Sequence, residues 1–149
     1  MKRITTGLLL AALGMSMLAG CAAGQGAVPA ASDTIKIGLN YELSGAVATY
    51  GQDSVKGVQM AVDEINAAGG IKGKKIQLVQ YDTKSDPAQA TTLATKLMTQ
   101  DKVVTVIGPA TSGSFMATIP VANKNQVPVV SGSATADAAT VDANGNVQP

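Results

Sequence analysis

Small residues and neutral hydroxyl groups cluster in three segments that each follow a predicted strand. The segments are Tyr41–Gln52, Gly108–Ser114 and Ser131–Asp137. Their relevant residues are Ser44, Gly45, Thr49, Tyr50, Thr111, Ser112, Gly113, Ser114, Ser131, Ser133 and Thr135. A hydroxyl group donates and accepts hydrogen bonds without carrying a charge. Such a rim can bind a small polar solute without presenting a charge to it.

Ser112 has the most specific predicted role, because a third helix is predicted to begin there. The first N–H groups of a helix have no intrahelical partner, and the positive end of the helix dipole favours a carboxylate. Serine and threonine are also common at helix starts for local reasons, so helix capping alone is the alternative role of Ser112 and Thr135. The clustering of three strand ends favours a binding site.

Residue types that dominate many active sites are missing. The chain contains no histidine, and its one arginine is Arg3. After Arg3, the chain therefore has no side chain for base catalysis by imidazole or for metal binding by histidine. It also has no arginine to bind a phosphate group. The run Gly108–Ser114 has phosphate-loop glycine spacing but lacks the lysine. We expect no enzyme activity, metal or cofactor, and a nucleotide-dependent α/β enzyme is the least favoured alternative.

The first 20 residues have the layout of a secretory signal peptide. Lys2 and Arg3 precede an uncharged stretch, and its apolar core, Gly7–Leu18, is shorter than the roughly 20 residues of a spanning helix. Lys2 and Arg3 account for two of the 11 basic residues, which leaves 9 lysines against 10 acidic residues after cleavage. Nucleic-acid binding needs a basic stripe, which this balance does not provide. The signal-peptide layout predicts that the protein is exported.

The only cysteine, Cys21, follows this segment directly. Leu18-Ala19-Gly20-Cys21 resembles the bacterial lipobox, in which the cysteine sulfur receives a diacylglyceryl group and the residue becomes the N-terminus. The resemblance predicts a lipid anchor that holds the protein at the cell membrane, facing the periplasm or cell exterior. An unused thiol, or one that pairs between molecules, is the alternative. Residues 21–34 then form a flexible tether and residues 35–149 a folded part.

Strand and helix patterns alternate from Ile35 onward. Strands are predicted at Ile35–Tyr41, Lys75–Asp82, Val103–Ile107 and Val127–Val130. The first helix has a face of Val55, Val58, Val62 and Ile65 and ends at Gly69-Gly70. The second begins with Asp86 as N-cap, Pro87 at the first position and Gln89 completing a capping box. The third spans roughly Ser112–Lys124, with a kink expected at Pro120.

This βαβαβαβ order implies right-handed crossovers and an open parallel sheet of the α/β class. Ligands of such sheets bind beyond the carboxyl ends of the strands. The three hydroxyl-rich segments all lie at those ends. The sequence therefore predicts a single binding region along one edge of the sheet.

Longer motifs carry a family resemblance that covers Ile35 to about Thr140. They are SGAVATYG, DEINAAGGIKGKKI, DPAQA, VIGPATSGS and VPVVSGSATA. Together they resemble the start of the leucine/isoleucine/valine-binding proteins, the type I periplasmic solute-binding proteins of branched-chain amino acid ABC transporters. The resemblance implies a two-lobed protein that closes on an amino acid and passes it to an ABC permease.

The resemblance also implies roles for individual residues. Ser112, Ser133 and Thr135 would hold the charged ends of the amino acid, through side chains and a backbone carbonyl. Tyr50, Ala110, Thr111 and Ala134 would line its surroundings. Some relatives have alanine at the position of Ser133, so the resemblance leaves the ligand specificity open. Some also carry a disulfide where this chain has Ser85 and Thr111.

The chain stops before the second lobe that the resemblance implies. We therefore expect an incomplete first lobe, either a truncated product or a piece of a longer protein. Three hydrogen bonds to charged groups would contribute roughly 5 to 9 kcal/mol before several kcal/mol of association cost is subtracted. This predicts millimolar or unmeasurable amino-acid binding by the first lobe alone. A sensor for amides or other small solutes, built on the same fold, is the second alternative.

Overall fold

The fold is built on a four-stranded parallel sheet. The computed structural model describes residues 34–141 and 144–147. Its strands are β1 (Thr34–Tyr41), β2 (Lys75–Asp82), β3 (Thr105–Ile107) and β4 (Val129–Val130), in the order β2-β1-β3-β4. β1 is parallel to β2 along its whole length and to β3 from Ile37 to Leu39. The open parallel α/β sheet predicted from the sequence is confirmed.

Three α-helices connect the strands. They are α1 (Ala48–Ala67), α2 (Pro87–Lys96) and α3 (Ser112–Asn125); a π-helical turn, Leu97–Asp101, follows α2, and a 3₁₀ turn spans Asp137–Ala139. None of the helices in the described residues is long and apolar enough to cross a membrane. The predicted signal peptide, Cys21 and most of the tether lie outside the described residues.

Local chemistry sets the helix boundaries as predicted, but one predicted capping hydrogen bond does not form. Asp86 caps α2 by accepting hydrogen bonds from the N–H groups of Ala88 (2.7 Å) and Gln89 (3.4 Å). The predicted return bond from Gln89 is wrong, because the Asp86 N–H donates to the Thr83 carbonyl at 3.0 Å instead. Gly69, which follows the C-cap residue Ala68 of α1, has a positive φ of 108°, which confirms the predicted stop.

β3 is shorter than predicted. The run from Val103 was expected to form a strand covered on both faces, but Val104 is 57% exposed and the strand begins at Thr105. The reason is the preceding turn: Lys102 adopts a left-handed conformation with φ of 59°, and the Val103 N–H donates to the Leu97 carbonyl. Val103 therefore still belongs to the helix end, although its side chain is buried.

Two apolar clusters hold the helices to the two faces of the sheet. α2 and α3 contribute to one cluster, which contains Ala94, Leu97, Met98, Val103, Val106 and Ala122. The second contains Leu39, Tyr41 and Ala110, with Val55 and Val58 of α1 packed against it. The predicted apolar face of α1 is only partly covered, since Val62 is buried whereas Ile65 is 38% exposed. Through Tyr41 and Ala110, the second cluster extends to the carboxyl ends of β1 and β3.

Candidate functional site

The loops after β3 and β4 lie side by side at the carboxyl ends of these strands. Hydrogen bonds of serine hydroxyl groups join them. Ser131 donates to the Pro109 carbonyl (2.7 Å), and Ser133 donates to the Ala110 carbonyl (2.8 Å). The Ser112 hydroxyl oxygen accepts from the N–H groups of Thr135 and Ala136, each at 3.1 Å. We call residues 108–112 and 131–136 the strand-end site.

Ser112 and Ser133 have opposite hydrogen-bonding polarity within this site. Two N–H groups occupy the lone pairs of the Ser112 oxygen, so its proton is left to donate. The Ser133 proton is directed to the Ala110 carbonyl, so its oxygen is left to accept. A carboxylate only accepts hydrogen bonds and an ammonium only donates them. The pair therefore complements a small molecule that carries both groups.

The capping alternative does not describe Ser112 or Thr135. α3 begins at Ser112 as predicted, but the Ser112 oxygen serves the neighbouring loop and no side chain caps this helix. The 3₁₀ turn after Thr135 has Ala136 at its N-cap position, again without a side-chain cap. Beside Ser112, a Cβ built on Gly113 would meet no heavy atom within 4 Å. The start of α3 therefore faces open space.

Glu42 is the residue of this region that the sequence analysis missed. It follows β1 directly and its side chain is fully buried. Its carboxylate accepts from the N–H groups of Ala110 (2.9 Å) and Thr111 (3.1 Å) and from the Thr111 hydroxyl (2.7 Å). No ion pair neutralises it within the described residues, where Lys56 and Asp53 form the one salt bridge. The available signal was an acidic residue directly after a strand whose last four residues are all buried.

Two glycines allow other segments to approach the backbone at the end of β1 closely. A Cβ on Gly51, in the first turn of α1, would lie 2.2 Å from the Glu42 carbonyl oxygen. Gly108 has φ of 93°, and a Cβ there would lie 2.5 Å from the Asn40 carbonyl oxygen. The peptide bond between Gly108 and Pro109 is cis. Next to Glu42, burial raises the pKa of the Tyr41 phenol, so its ring stays neutral.

The remaining predicted segment, which follows β1, is hydrogen-bonded to the end of β2. Asp82 accepts from the N–H groups of Leu43 (2.9 Å), Ser44 (3.1 Å) and Lys84 (2.8 Å), and from the Ser44 hydroxyl (2.6 Å). Burial alone would raise the pKa of this carboxyl, but the hydrogen bonds from Ser44, Lys84 and Leu43 outweigh it and lower the pKa. This anchored loop leads into α1.

Tyr50 forms no hydrogen bond with the strand-end site among the described residues. It lies in the first turn of α1 and is 64% exposed. Of the remaining predicted residues, Ala110 is buried, Thr111 and Ala134 are partly buried, and Thr135 is exposed. The structure thus joins Ala110, Thr111, Ser112, Ser133, Ala134 and Thr135 through neighbouring loops. Ligand contact for all seven residues stays a prediction.

A cavity of about 630 Å³ lies elsewhere, along α3 and β4. It is lined mainly by apolar side chains, including Phe115, Ile119, Val127, Val129 and Val147. None of the seven predicted site residues lines it. No group of three or more metal-ligating side chains occurs within residues 34–141 and 144–147. The predicted site and this cavity are therefore separate.

Comparisons with known proteins match most of this chain. The family model described as "Periplasmic binding protein" matches residues 34–148. The Leu/Ile/Val-binding protein of Escherichia coli is 43% identical over 101 residues, which make up 68% of this chain and 27% of that protein. The chain therefore spans less than a third of the length of this relative.

Two solved structures show the same arrangement of strands and helices. The branched-chain amino acid transporter substrate binding protein LivJ of Streptococcus pneumoniae, in complex with isoleucine, is 55% identical with a TM-score of 0.71 and covers 72% of this chain and 31% of its own. A solute binding protein of Rhodopseudomonas palustris, in complex with benzoate, is 32% identical with a TM-score of 0.65 and covers 72% and 29%.

Proposed function

Since this chain belongs to the periplasmic binding protein family, we propose that it binds a branched-chain or other aliphatic amino acid outside the cytoplasm and serves an ABC transporter. Its partner is then the permease of that transporter, and it performs no catalysis. The relatives support the solute class, because one is a Leu/Ile/Val-binding protein and another was solved with isoleucine.

The opposite polarity of Ser112 and Ser133 carries this proposal. The Ser112 proton and the first N–H groups of α3 receive the carboxylate of the amino acid. The free lone pairs of Ser133, with Thr135 beside it, receive the ammonium group. A charge-assisted hydrogen bond contributes about 1.5 to 3 kcal/mol. Recognition of both ends therefore distinguishes a zwitterion from a solute that has only one of them.

The remaining predicted residues suit the uncharged part of the ligand. Ala110 and Ala134 have methyl side chains, which leave room close to the backbone. The Thr111 hydroxyl is engaged by Glu42, so this residue offers mainly its methyl group. Tyr50 has an exposed ring that is free to cover an aliphatic side chain.

An NMR titration of the full chain tests the proposal, since it detects millimolar binding. We expect isoleucine to shift the amide signals of residues 110–113 and 133–135. The analogues 3-methylpentanoate, which lacks the ammonium, and 2-methylbutylamine, which lacks the carboxylate, should each bind about tenfold more weakly or worse. Equal binding of isoleucine and both analogues would contradict the proposal.

Matched variants locate the two ends of the ligand. Ser112→Ala should remove the preference for isoleucine over 2-methylbutylamine, whereas Ser133→Ala should remove the preference over 3-methylpentanoate. Thr92→Ala is the control, because its exposed hydroxyl bonds only the Ala88 carbonyl within α2. An equal effect of all three substitutions would show that the loss is not specific to the site.

A solute without an ammonium group is the second candidate ligand, because the benzoate-bound relative shares the fold. Benzoate has only a carboxylate end, so it would use Ser112 and leave Ser133 unpaired. Tighter binding of benzoate than of isoleucine would favour a small-solute receptor over an amino-acid receptor.

Attachment through a lipid on Cys21 completes the proposal. The small residues before Cys21 and the signal-peptide layout support it. In an export-competent bacterial host, the protein should partition into the membrane fraction with a mass increase on Cys21. Cys21→Ala should release it or leave the precursor uncleaved, and membrane association of that variant as a mature chain would contradict a lipid anchor.

A further inference from the structure

Two consecutive peptide units of the β3–α3 loop lie between Glu42 and the serines of the neighbouring loop. In the first unit, the Pro109 carbonyl accepts from Ser131 and the Ala110 N–H donates to Glu42. In the second, the Ala110 carbonyl accepts from Ser133 and the Thr111 N–H donates to Glu42. Each peptide unit is therefore held on both sides, with its dipole in one fixed direction.

The direction of both units follows from the carboxylate. A carboxylate accepts hydrogen bonds and donates none, so both N–H groups must point toward Glu42. Their carbonyl groups then point away, toward Ser131 and Ser133. Hydrogen bonds in such a chain strengthen one another, and a charged acceptor at its start adds to this effect. The polarity of the Ser133 hydroxyl is thereby set from the opposite side of the loop.

We infer that Glu42 is a positioning residue of the solute site: through the two peptide units, its carboxylate orients the Ser133 hydroxyl so that the oxygen is presented to an ammonium group. This inference rests on the proposed function for the identity of the ligand group. Glu42 itself does not touch the solute, because its side chain is fully buried behind the loop. It acts on selectivity for zwitterions through Ser133.

Glutamine cannot replace this carboxylate in the same role. In Glu42→Gln, the amide oxygen can still accept from Thr111, but the NH₂ group would face the N–H of Ala110, and two donors do not pair. The substitution conserves size, so it tests the acceptor pattern and the charge without opening a cavity. Glu64→Gln is the matched control, since Glu64 is exposed on α1 and the substitution removes the same charge away from the loop.

Amide hydrogen exchange measured by NMR on the full chain tests the positioning without any ligand. In the unaltered chain, the N–H groups of Ala110 and Thr111 should exchange as slowly as those of β1, although neither residue lies in a strand. In Glu42→Gln they should exchange about tenfold faster or more, with β1 unchanged. Glu64→Gln should leave the exchange rates of the Ala110 and Thr111 amides unchanged. Rapid exchange of Ala110 and Thr111 in the unaltered chain would overturn the inference even if no variant folds.

The selectivity ratio tests the consequence for the solute. Glu42→Gln should weaken isoleucine binding by about tenfold while changing the binding of 3-methylpentanoate less than twofold, because only the ammonium end depends on Ser133. Equal weakening of both ligands would show a general structural role and overturn the inference. If the unaltered chain binds no amino acid, the proposed function fails, whereas the exchange experiment still decides whether Glu42 positions the loop.

Discussion

Glu42 and Asp82 are two carboxylates at the ends of adjacent strands, and each fixes a loop by accepting hydrogen bonds from its backbone. Glu42 accepts three hydrogen bonds from the loop after β3 and is fully buried. Asp82 accepts four from its surroundings, two of them from backbone N–H groups of the loop after β1, and is partly exposed. The same chemistry is thus used in two different solvent environments.

The difference between them shows how burial changes the consequence of one interaction. When the buried acceptor is lost, its N–H partners have no water to replace it, and each unpaired group costs about 1 to 3 kcal/mol. When the exposed acceptor is lost, water can take its place and the net loss is smaller. We therefore expect Glu42 to act on the stability of the whole fold and Asp82 mainly on one loop.

The largest expected effect is that of Glu42→Ala. It leaves the N–H groups of Ala110 and Thr111 without an acceptor and should lower the free energy of unfolding by about 2 to 5 kcal/mol. Urea unfolding followed by circular dichroism measures this change. Glu64→Ala, which removes an exposed carboxylate from α1, should stay within about 0.5 kcal/mol of the unaltered chain. A comparable loss of unfolding free energy in both variants would contradict the larger role of the buried carboxylate.

A second test separates two glycines of the same helix. Gly51→Ala places a methyl group against the Glu42 carbonyl oxygen, 2.2 Å away before any shift, and should destabilise the fold by about 1 to 3 kcal/mol. Gly57→Ala meets no atom within 4 Å and should instead stabilise it by about 0.5 to 1 kcal/mol. Thermal unfolding of the two variants gives the comparison directly. Equal shifts of the unfolding temperature in the two variants would mean that Gly51 is not in close contact with the Glu42 carbonyl.

Asp82→Asn should have a smaller effect, about 1 to 2 kcal/mol. The amide keeps one acceptor oxygen but loses the charge that strengthens the bonds from Ser44 and Lys84. The loss should shrink as salt is added, because the site is partly exposed and its charge is screened. Exchange rates of the Leu43 and Ser44 amides should rise while those of Ala110 and Thr111 stay unchanged. A change at Ala110 would show that the two loops are coupled.

The smallest expected effect is the pH dependence of Asp82. Although burial acts to raise it, hydrogen bonds from Ser44, Lys84 and Leu43 hold the pKa of the Asp82 carboxyl below its usual range in the folded protein, so the unfolded chain binds this proton more readily than the folded one. Its contribution is therefore fully present above about pH 5 and is lost as the pH falls below 4 through the lowered pKa. The stability difference between the unaltered chain and Asp82→Asn should be constant from pH 7 to 5 and shrink toward pH 3. A difference that grows on acidification would contradict the lowered pKa.

Local chemistry made most of the fold predictable from sequence, and the resemblance of the longer motifs made the family predictable. β2 spans Lys75–Asp82 as predicted, because the alternation of apolar and polar residues is a local signal of a strand. The predicted family and the parallel sheet are confirmed by the matching family model and by the strand order. The start of α3 at Ser112 followed from the position of small polar residues after a buried strand.

The misses share a physical cause, because each depends on residues outside the pattern that carried the prediction. The exposure of Val104 follows from the left-handed turn at Lys102, and nothing in the apolar run itself signals that turn. The return bond of Gln89 was lost to the Thr83 carbonyl, a competing acceptor outside the helix. Glu42 meets its partners 68 and 69 residues away, so no local pattern identifies them.

The brevity of β4 has a consequence for self-association. Among the described strands β4 has one neighbour, β3, and its other side forms a border of the sheet only two residues long. Pro128, just before it, has no N–H to offer to an approaching strand. A foreign strand would find too few backbone partners there to add on, so this border resists the edge-to-edge stacking that starts fibril growth.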